Sequence, residues 1–404
     1  MNLRFYLLGK TDSKNPSAIS KQQIQKWHNE GIITYLGETS DVREFIKYAS
    51  CVVLPSYREG FPRALLESLA LKTPIITTIN NGCRELVKID NINNNDINIG
   101  NNGILIKPKD EKMLYKAMIK FGSLDRNKLA LNALIESKKY DIKIINEIYK
   151  NRILDKYLCD LRNKNIVFVS NSCFGMFNFR LNTLQYIRDN GYNIHIIAPF
   201  DDTTKYLIDN NFKCYDIFID PKSVNPLKEL RFIKELKNHI TKINPNMIIN
   251  YTIKPIIYGS FIANRLKIPN IAITTGLGYV FIPKGMMKSI FKRFVVKLYK
   301  IALKDTQEVW FLNKDDKDEF INLNIIESNK AFILPSEGID LEHFKPDFIK
   351  SANFKPNNKA QEEYLENLPK DNEIRFLLIA RMLYDKGIYE FYEAAKMHKN
   401  GAKI

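Results

Sequence analysis

Short runs rich in β-branched and aromatic residues alternate with amphipathic helical stretches along almost the whole chain. In the first 150 residues the runs RFYLLG (4–9), IITYLG (32–37), CVVLP (51–55) and TPIITT (73–78) read as strands. Further on, NKNIVFVSNS (163–172), YNIHIIAPF (192–200), NMIINYT (246–252), NIAITT (270–275) and EVWFLN (308–313) repeat the signal. Helical periodicity follows each of them, as at Phe177 to Asn190 and after Asp201. Strand–helix units at this spacing predict an α/β chain with two Rossmann-like doubly wound parallel sheets. Ligands of such sheets bind beyond the carboxyl ends of the strands, so the loops after strands are where chemistry is expected.

Two segments interrupt the alternation. NINNNDINIGNNG (91–103) reads as a solvated Asn-rich connection, and residues 346–373, which mix Pro, Asn and charge, read as a linker. After the linker, EIRFLLIARMLYDKGIYEFYEAAKMHKNGAKI (373–404) restarts as strand, loop and helix. One strand–helix unit cannot fold alone, and the first 150 residues offer a sheet for it to join. The predicted organisation is therefore one lobe at 1–155, a second at 160–345, the linker, and 374–404 completing the first lobe.

Composition narrows the class. With 404 residues, 45% hydrophobic and 26% charged, the chain is long enough for two full cores and is not of disordered type. No apolar run approaches the length of a membrane span, and Phe5 to Leu8 is too short for a signal peptide, so a cytoplasmic protein is expected. Cys51, Cys83, Cys159, Cys173 and Cys214 show no C-x-x-C spacing, and the five histidines no helical ligand pair. Reduced thiols and no metal site follow. The net charge of +16 favours nucleic acid, anionic membrane or phosphorylated substrates as partners. No nucleic-acid recognition motif accompanies it, so no nucleic acid is expected.

The stretch most informative for chemistry is LPSYREGFPRALLESLALKTPIITT (54–78), which follows a strand and opens a helix. Glu59 and Glu67 stand eight positions apart in it; Gly60 allows close backbone approach, and Pro62 suits a helix start. Free N–H groups at that start attract phosphate or sugar hydroxyls. This string resembles the Glu-x7-Glu donor motif of the GT-B-fold retaining glycosyltransferases of family 4. YLGETSDV (35–42) and NNGCRELV (80–87) are also similar to that family's donor lobe. The resemblance implies that Glu59 contacts the donor sugar, with Gly60, Phe61 and Pro62 beside it, and that Glu67 holds the nucleotide ribose. It also implies a phosphate clamp of one Arg and one Lys, matched by Arg381 and Lys386 in LLIARMLYDKGIYEF (377–391).

The middle of the chain resembles the same family's acceptor lobe. Gly175 in NSCFGMFNFRLNTL (171–184) would let backbone face the donor phosphates, and ITTGLGYVFIPKG (273–285) resembles the acceptor-side loop. Thr275, Gly276 and Gly278 stand there where many members of the family carry a histidine; a subgroup including bacterial N-acetylgalactosaminyltransferases acting on lipid-linked intermediates has a similar Gly-Leu-Gly loop. The family places the acceptor lobe first, so the order here implies a circularly permuted enzyme; a fusion of two partial genes is the competing account. The implied reaction is retaining transfer of a hexose or N-acetylhexosamine from a nucleotide diphosphate sugar, UDP-linked by subgroup resemblance. The implied acceptor is lipid-linked or glycan, in bacterial surface polysaccharide or glycoconjugate synthesis. A nucleotide-sugar epimerase of the same architecture is an alternative. Asp316-Lys317-Asp318 spells a metal-type Asp-x-Asp but sits at an expected helix start, so metal-independent catalysis is expected.

In residues 283–305, Met287, Ile290, Phe291, Phe294, Leu298 and Ile301 share one helical face. Lys288, Lys292, Arg293, Lys297, Lys300 and Lys304 take the other. The pattern fits a core-packed helix with a solvated basic side, or a helix lying on an anionic membrane surface.

Overall fold

The computed structural model describes residues 2–12, 15–158, 163–220, 225–277, 281, 286–348, 354–370 and 372–402. The chain divides into two compact units, Met1–Asp141 with Ile339–Ile404, and Ile142–Gly338. The first contains β1 (Asn2–Leu8), β2 (Thr34–Tyr35), β3 (Cys51–Leu54), β4 (Ile75–Thr78), β5 (Asn98–Ile99) and β6 (Gly103–Ile106). The second contains β7 (Asn165–Val169), β8 (Asn193–Ile197), β9 (Lys213–Tyr215), β10 (Met247–Tyr251), β11 (Asn270–Thr274), β12 (Glu308–Phe311) and β13 (Ala331–Ile333). The last strand, β14 (Glu373–Ile379), returns to the first unit.

The first sheet runs β2-β1-β14-β3-β4-β6-β5, parallel except for β5 against β6. β14 is thus an interior strand, paired along its whole length with β1 from Asn2 opposite Glu373 to Leu8 opposite Ile379. Its residues feed both faces: Ile374, Phe376 and Leu378 enter one core with Phe5 and Phe391, and Leu377 enters the other with Leu65 and Leu69. Burial on both faces explains an apolar run such as CVVL in β3, whereas β1 and β14 carry Asn2, Arg4, Glu373 and Arg375 at alternate positions of their first halves. The second sheet is wholly parallel, in the order β13-β12-β11-β10-β7-β8-β9.

Three features depart from the sequence reading. Residues 142–155, expected in the first lobe, lie in the second unit. There the Tyr149 and Tyr251 hydroxyls meet at 2.5 Å, and Arg152 and Lys156 reach the buried Glu308 carboxylate at 3.0 and 2.7 Å. The linker is not loose: its helix Lys359–Glu366 docks on the first unit, with the Tyr364 hydroxyl donating to the Phe45 carbonyl at 2.7 Å and Gln361 Nε2 to that of Leu36 at 2.7 Å. The Asn-rich stretch carries β5, and Asn102 is fully buried. Its amide donates to the Leu86 carbonyl at 2.7 Å and its side-chain oxygen accepts from Lys88 N at 2.9 Å. Asn91, Asn93, Asn94, Asn95 and Asn101 are exposed, as a solvated connection requires, and of the asparagines in this stretch Asn98 and Asn102 are buried.

Candidate active site

At the carboxyl edge of the first sheet, the loop after β3 and the loop after β14 are joined by hydrogen bonds. Tyr57 N donates to the Asp385 carbonyl at 2.8 Å, and Ser56 Oγ lies 3.0 Å from the same oxygen. Gly387 permits this approach. Its φ is +72°, and a Cβ there would stand 2.2 Å from the Pro55 carbonyl oxygen, so no other residue fits undisturbed. The loop after β4 closes the cluster: Thr78 Oγ1 donates to the Ser56 carbonyl at 2.7 Å and Asn80 Nδ2 to that of Tyr57 at 2.6 Å. Gly82, at φ +75°, sits where a Cβ would be 2.5 Å from the Gly60 carbonyl oxygen.

Within this frame Glu59 and Lys386, 327 positions apart in the chain, form an ion pair at 2.6 Å with both side chains largely buried. Ser56 Oγ donates to Glu59 Oε1 at 2.8 Å. Glu67 lies on the helix Arg63–Ala70, for which Pro62 is the residue before the first turn. Its carboxylate accepts from Arg63 Nε at 2.8 Å. Burial raises the Glu67 pKa, with the Arg63 charge opposing. Phe61 is half-buried, its ring 5.2 Å from that of Tyr140. Arg381 stands apart from the Glu59–Lys386 pair: its side chain is 62% exposed, and Asp12 lies 3.9 Å away. Exposure leaves Arg381 available to an incoming anion at little desolvation cost.

Cys83 is buried close to Glu59. Its thiol is pushed up to about 12 by burial and by the Glu59 charge, which keeps it neutral and unreactive at physiological pH. Beneath the loop, the Tyr57 hydroxyl donates to Glu390 Oε1 at 2.5 Å, and burial raises the Tyr57 pKa. Sequence reading missed Arg63, Tyr57, Asn80 and Glu390. Arg63 had a legible signal in its i,i+4 spacing from Glu67. Glu390 had none, since nothing local links it to Tyr57.

In the second unit Gly175 lies in the first turn of the helix Cys173–Asp189, where its N–H donates to the capping Ser172 Oγ at 3.1 Å. Thr275 and Gly276 follow β11, the latter at φ +129°, while Gly278 lies outside the described residues. Asp316 sits in the first turn of Lys314–Asn322, where its backbone N–H donates to Oδ1 of the N-cap Asn313 at 2.8 Å and its carboxylate accepts from Asn313 Nδ2 at 3.1 Å. That is helix capping, which accounts for the Asp-x-Asp letters.

The basic helix Met286–Ala302 faces otherwise than its sequence pattern suggested for a core-packed element. Its core line is Val295, Tyr299 and Ala302, whereas Ile290, Phe294 and Ile301 are 58, 55 and 51% exposed. Arg293, Lys297 and Lys300 are exposed among them, and Lys292 pairs with Glu319 at 2.7 Å. The Met287 and Lys288 side chains lie outside the description. Among the described residues no helix is long and apolar enough to cross a membrane.

Two family models each match a part of the chain. Residues 2–137 match the glycosyl transferases group 1 family, and residues 161–313 match the glycosyl transferase 4-like family. The chain is 29% identical over 240 residues to a Campylobacter jejuni N,N'-diacetylbacillosaminyl-diphospho-undecaprenol α-1,3-N-acetylgalactosaminyltransferase, covering 59% of this chain and 62% of that protein. It is 33% identical over 97 residues to TuaC of Bacillus subtilis, a putative teichuronic acid biosynthesis glycosyltransferase, covering 24% of this chain and 21% of that one. A crystal structure of a Rickettsia africae glycosyltransferase aligns with a TM-score of 0.39 at 18% identity, covering 52% of this chain and 51% of that chain. The chain therefore spans less than two thirds of the length of these relatives.

Proposed function

We propose that this chain, which carries a glycosyl transferases group 1 domain and a glycosyl transferase 4-like domain, moves a sugar from a nucleotide diphosphate sugar to a lipid-linked acceptor with retention at the anomeric carbon. The observation that carries the reading is the Glu59–Lys386 pair, because residues from opposite ends of the chain meet there at the edge of one sheet. In the proposed reaction the bond from the anomeric carbon to the diphosphate breaks. A bond to the acceptor oxygen forms on the same face, and the acceptor's proton passes to the departing phosphate oxygen. Lys386 and Arg381 stabilise the charge that develops on the diphosphate, Lys386 exchanging its bond to Glu59 for one to phosphate. Glu59, released, accepts hydrogen bonds from donor-sugar hydroxyls, and Glu67 accepts from the ribose.

The relative from Campylobacter jejuni supports an N-acetylhexosamine as the transferred sugar and a polyprenyl diphosphate-linked sugar as the acceptor class, and UDP is our reading of the nucleotide. The interior position of β14 and the order of the two family matches support a circularly permuted chain. The exposed Ile290, Phe294 and Ile301, interleaved with Arg293, Lys297 and Lys300, support docking on an anionic membrane surface. Such docking brings the enzyme to an acceptor that cannot leave the bilayer.

A transfer assay with UDP-linked N-acetylhexosamines and a polyprenyl diphosphate-linked N-acetylhexosamine tests this reading. Product with the donor's anomeric configuration is expected. An epimerised nucleotide sugar formed without acceptor contradicts it.

A further inference from the structure

The loop after β10 takes no part in the reading above, yet it holds the most unusual backbone among the described residues. Thr252 has φ +69°. Among the described residues the other non-glycine residues with positive φ are all Asn or Lys, and a β-branched residue there is a genuine outlier. Its conformation is fixed by the following helical turn, since the Thr252 carbonyl accepts from Ile256 N at 2.9 Å. Strain of this kind persists where the surrounding structure imposes it, and it concentrates at functional sites.

Unpaired polar atoms occur on this strand end and on side chains packed around it. Thr252 Oγ1, Asn250 Oδ1, Glu229 Oε2 and Arg180 Nε are all buried with no hydrogen-bond partner. Asn250 and Thr252 flank Tyr251 at the end of β10; the Arg180 guanidinium lies 4.0 Å from the Tyr251 ring centroid, and Glu229 pairs with Lys254. Asn250 Oδ1 is sealed against Gly259, where a Cβ would stand 2.0 Å from it, and Arg180 and Glu229 are ion-paired through their other atoms, so of the four only the hydroxyl of the partly exposed Thr252 is a neutral group within reach of a ligand.

Topology selects this strand end as well. In the second sheet the connections run from β7 outward through β8 and β9 on one side, and through β10 to β13 on the other. The crevice between the loops after β7 and β10 is therefore the switch point where doubly wound sheets bind ligands. Arg180 spans it: Nη1 donates to the Gly175 carbonyl at 2.8 Å and Nη2 to Glu337 Oε1 at 2.6 Å, while its plane covers Tyr251. The floor of the crevice is thus rigid and already charge-paired, which suits a neutral polar group above it better than an anion.

We propose that Thr252 contacts the acceptor sugar, its hydroxyl turning out by one χ1 rotation to hydrogen-bond an acceptor hydroxyl at the second unit's switch point. The assignment rests on the transferase reading above and adds a residue to it. Thr252 is partly exposed, so the rotation moves only its own side chain.

Steady-state kinetics of Thr252→Val, Thr252→Ser and Thr252→Gly, with a UDP-linked N-acetylhexosamine and a polyprenyl diphosphate-linked N-acetylhexosamine, test the inference. Loss of the hydroxyl in Thr252→Val is expected to raise the acceptor KM about three- to tenfold with donor KM unchanged. Thr252→Ser should stay within about twofold of wild type, since it keeps the hydroxyl. Thr252→Gly, relieved of strain, should melt a few degrees higher than wild type while turning over no better than Thr252→Val. A residue with a purely structural role would shift Tm and leave the acceptor KM alone. An unchanged acceptor KM in Thr252→Val, or a Thr252→Gly variant no more stable than wild type, overturns the assignment. If wild type itself transfers nothing to this acceptor, the functional reading fails first and the subsite with it, an outcome visible without any variant.

Discussion

The loop clusters at the carboxyl edges of the two sheets solve opposite problems. In the first unit the charges of the candidate site neutralise one another: Glu59 with Lys386 and Glu67 with Arg63, each within 2.8 Å. In the second, the end of β10 carries a strained threonine and buried polar atoms that have no partner. A cluster of paired charges is stable when empty and exchanges internal bonds for bonds to a charged ligand. An unpaired neutral hydroxyl such as that of Thr252 is costly when empty and gains a bond when a neutral polar ligand arrives. The contrast fits a nucleotide diphosphate on one side and a sugar hydroxyl on the other.

The comparison breaks most readily at Lys386. Lys386→Met removes the cation proposed to meet the leaving diphosphate and leaves Glu59 unpaired. Turnover should fall about 100-fold or more, measured at saturating donor and acceptor. A fall under about fivefold would make the Glu59–Lys386 pair a structural contact. The proposed membrane face comes next: Lys297→Gln with Lys300→Gln should weaken binding to anionic phospholipid vesicles about 30-fold in a sedimentation assay, at roughly 1 kcal/mol per cation. Neutral vesicles should show little difference between the proteins.

Acidification sharpens the electrostatic side. Burial holds the Glu67 pKa above its ordinary value, so its charged form costs folding stability at neutral pH. That cost is relieved as pH falls through the raised folded-state value toward the unfolded-state one. Nucleotide affinity should move the other way, weakening over the same interval as the ribose loses its carboxylate acceptor. Glu67→Gln should abolish this pH dependence, measured by calorimetry across the titration. The smallest effect is expected at Tyr57→Phe, which strips the hydroxyl from buried Glu390 and should lower stability by about 1–3 kcal/mol in denaturant melts.

Most of the sheet architecture was legible because strands buried on both faces leave runs of apolar and β-branched residues, as at Cys51–Leu54 and Ile75–Thr78. β5, β9 and β13 are only two or three residues long, too short to carry a period. Glu59 and Glu67 were legible through their spacing on one loop and helix. The bond from Glu59 to Lys386 was not read from spacing, since only the tertiary fold brings position 386 to position 59. The basic helix misled in one respect: its apolar residues follow helical spacing, but the core takes the Val295–Tyr299–Ala302 line instead. Periodicity identifies a face without saying what covers it. Thr252 left no mark at all, since a left-handed φ at a threonine is imposed by the turn it begins.

The central claim is that both ends of the chain build one donor site, and UDP calorimetry on wild type, Glu67→Ala and Lys386→Ala tests it most directly. The account predicts that wild type binds UDP, and that each substitution weakens binding about tenfold or more, since each removes a charged partner. A wild type that binds no nucleotide diphosphate, or a Lys386→Ala variant that binds UDP as tightly as wild type, contradicts it.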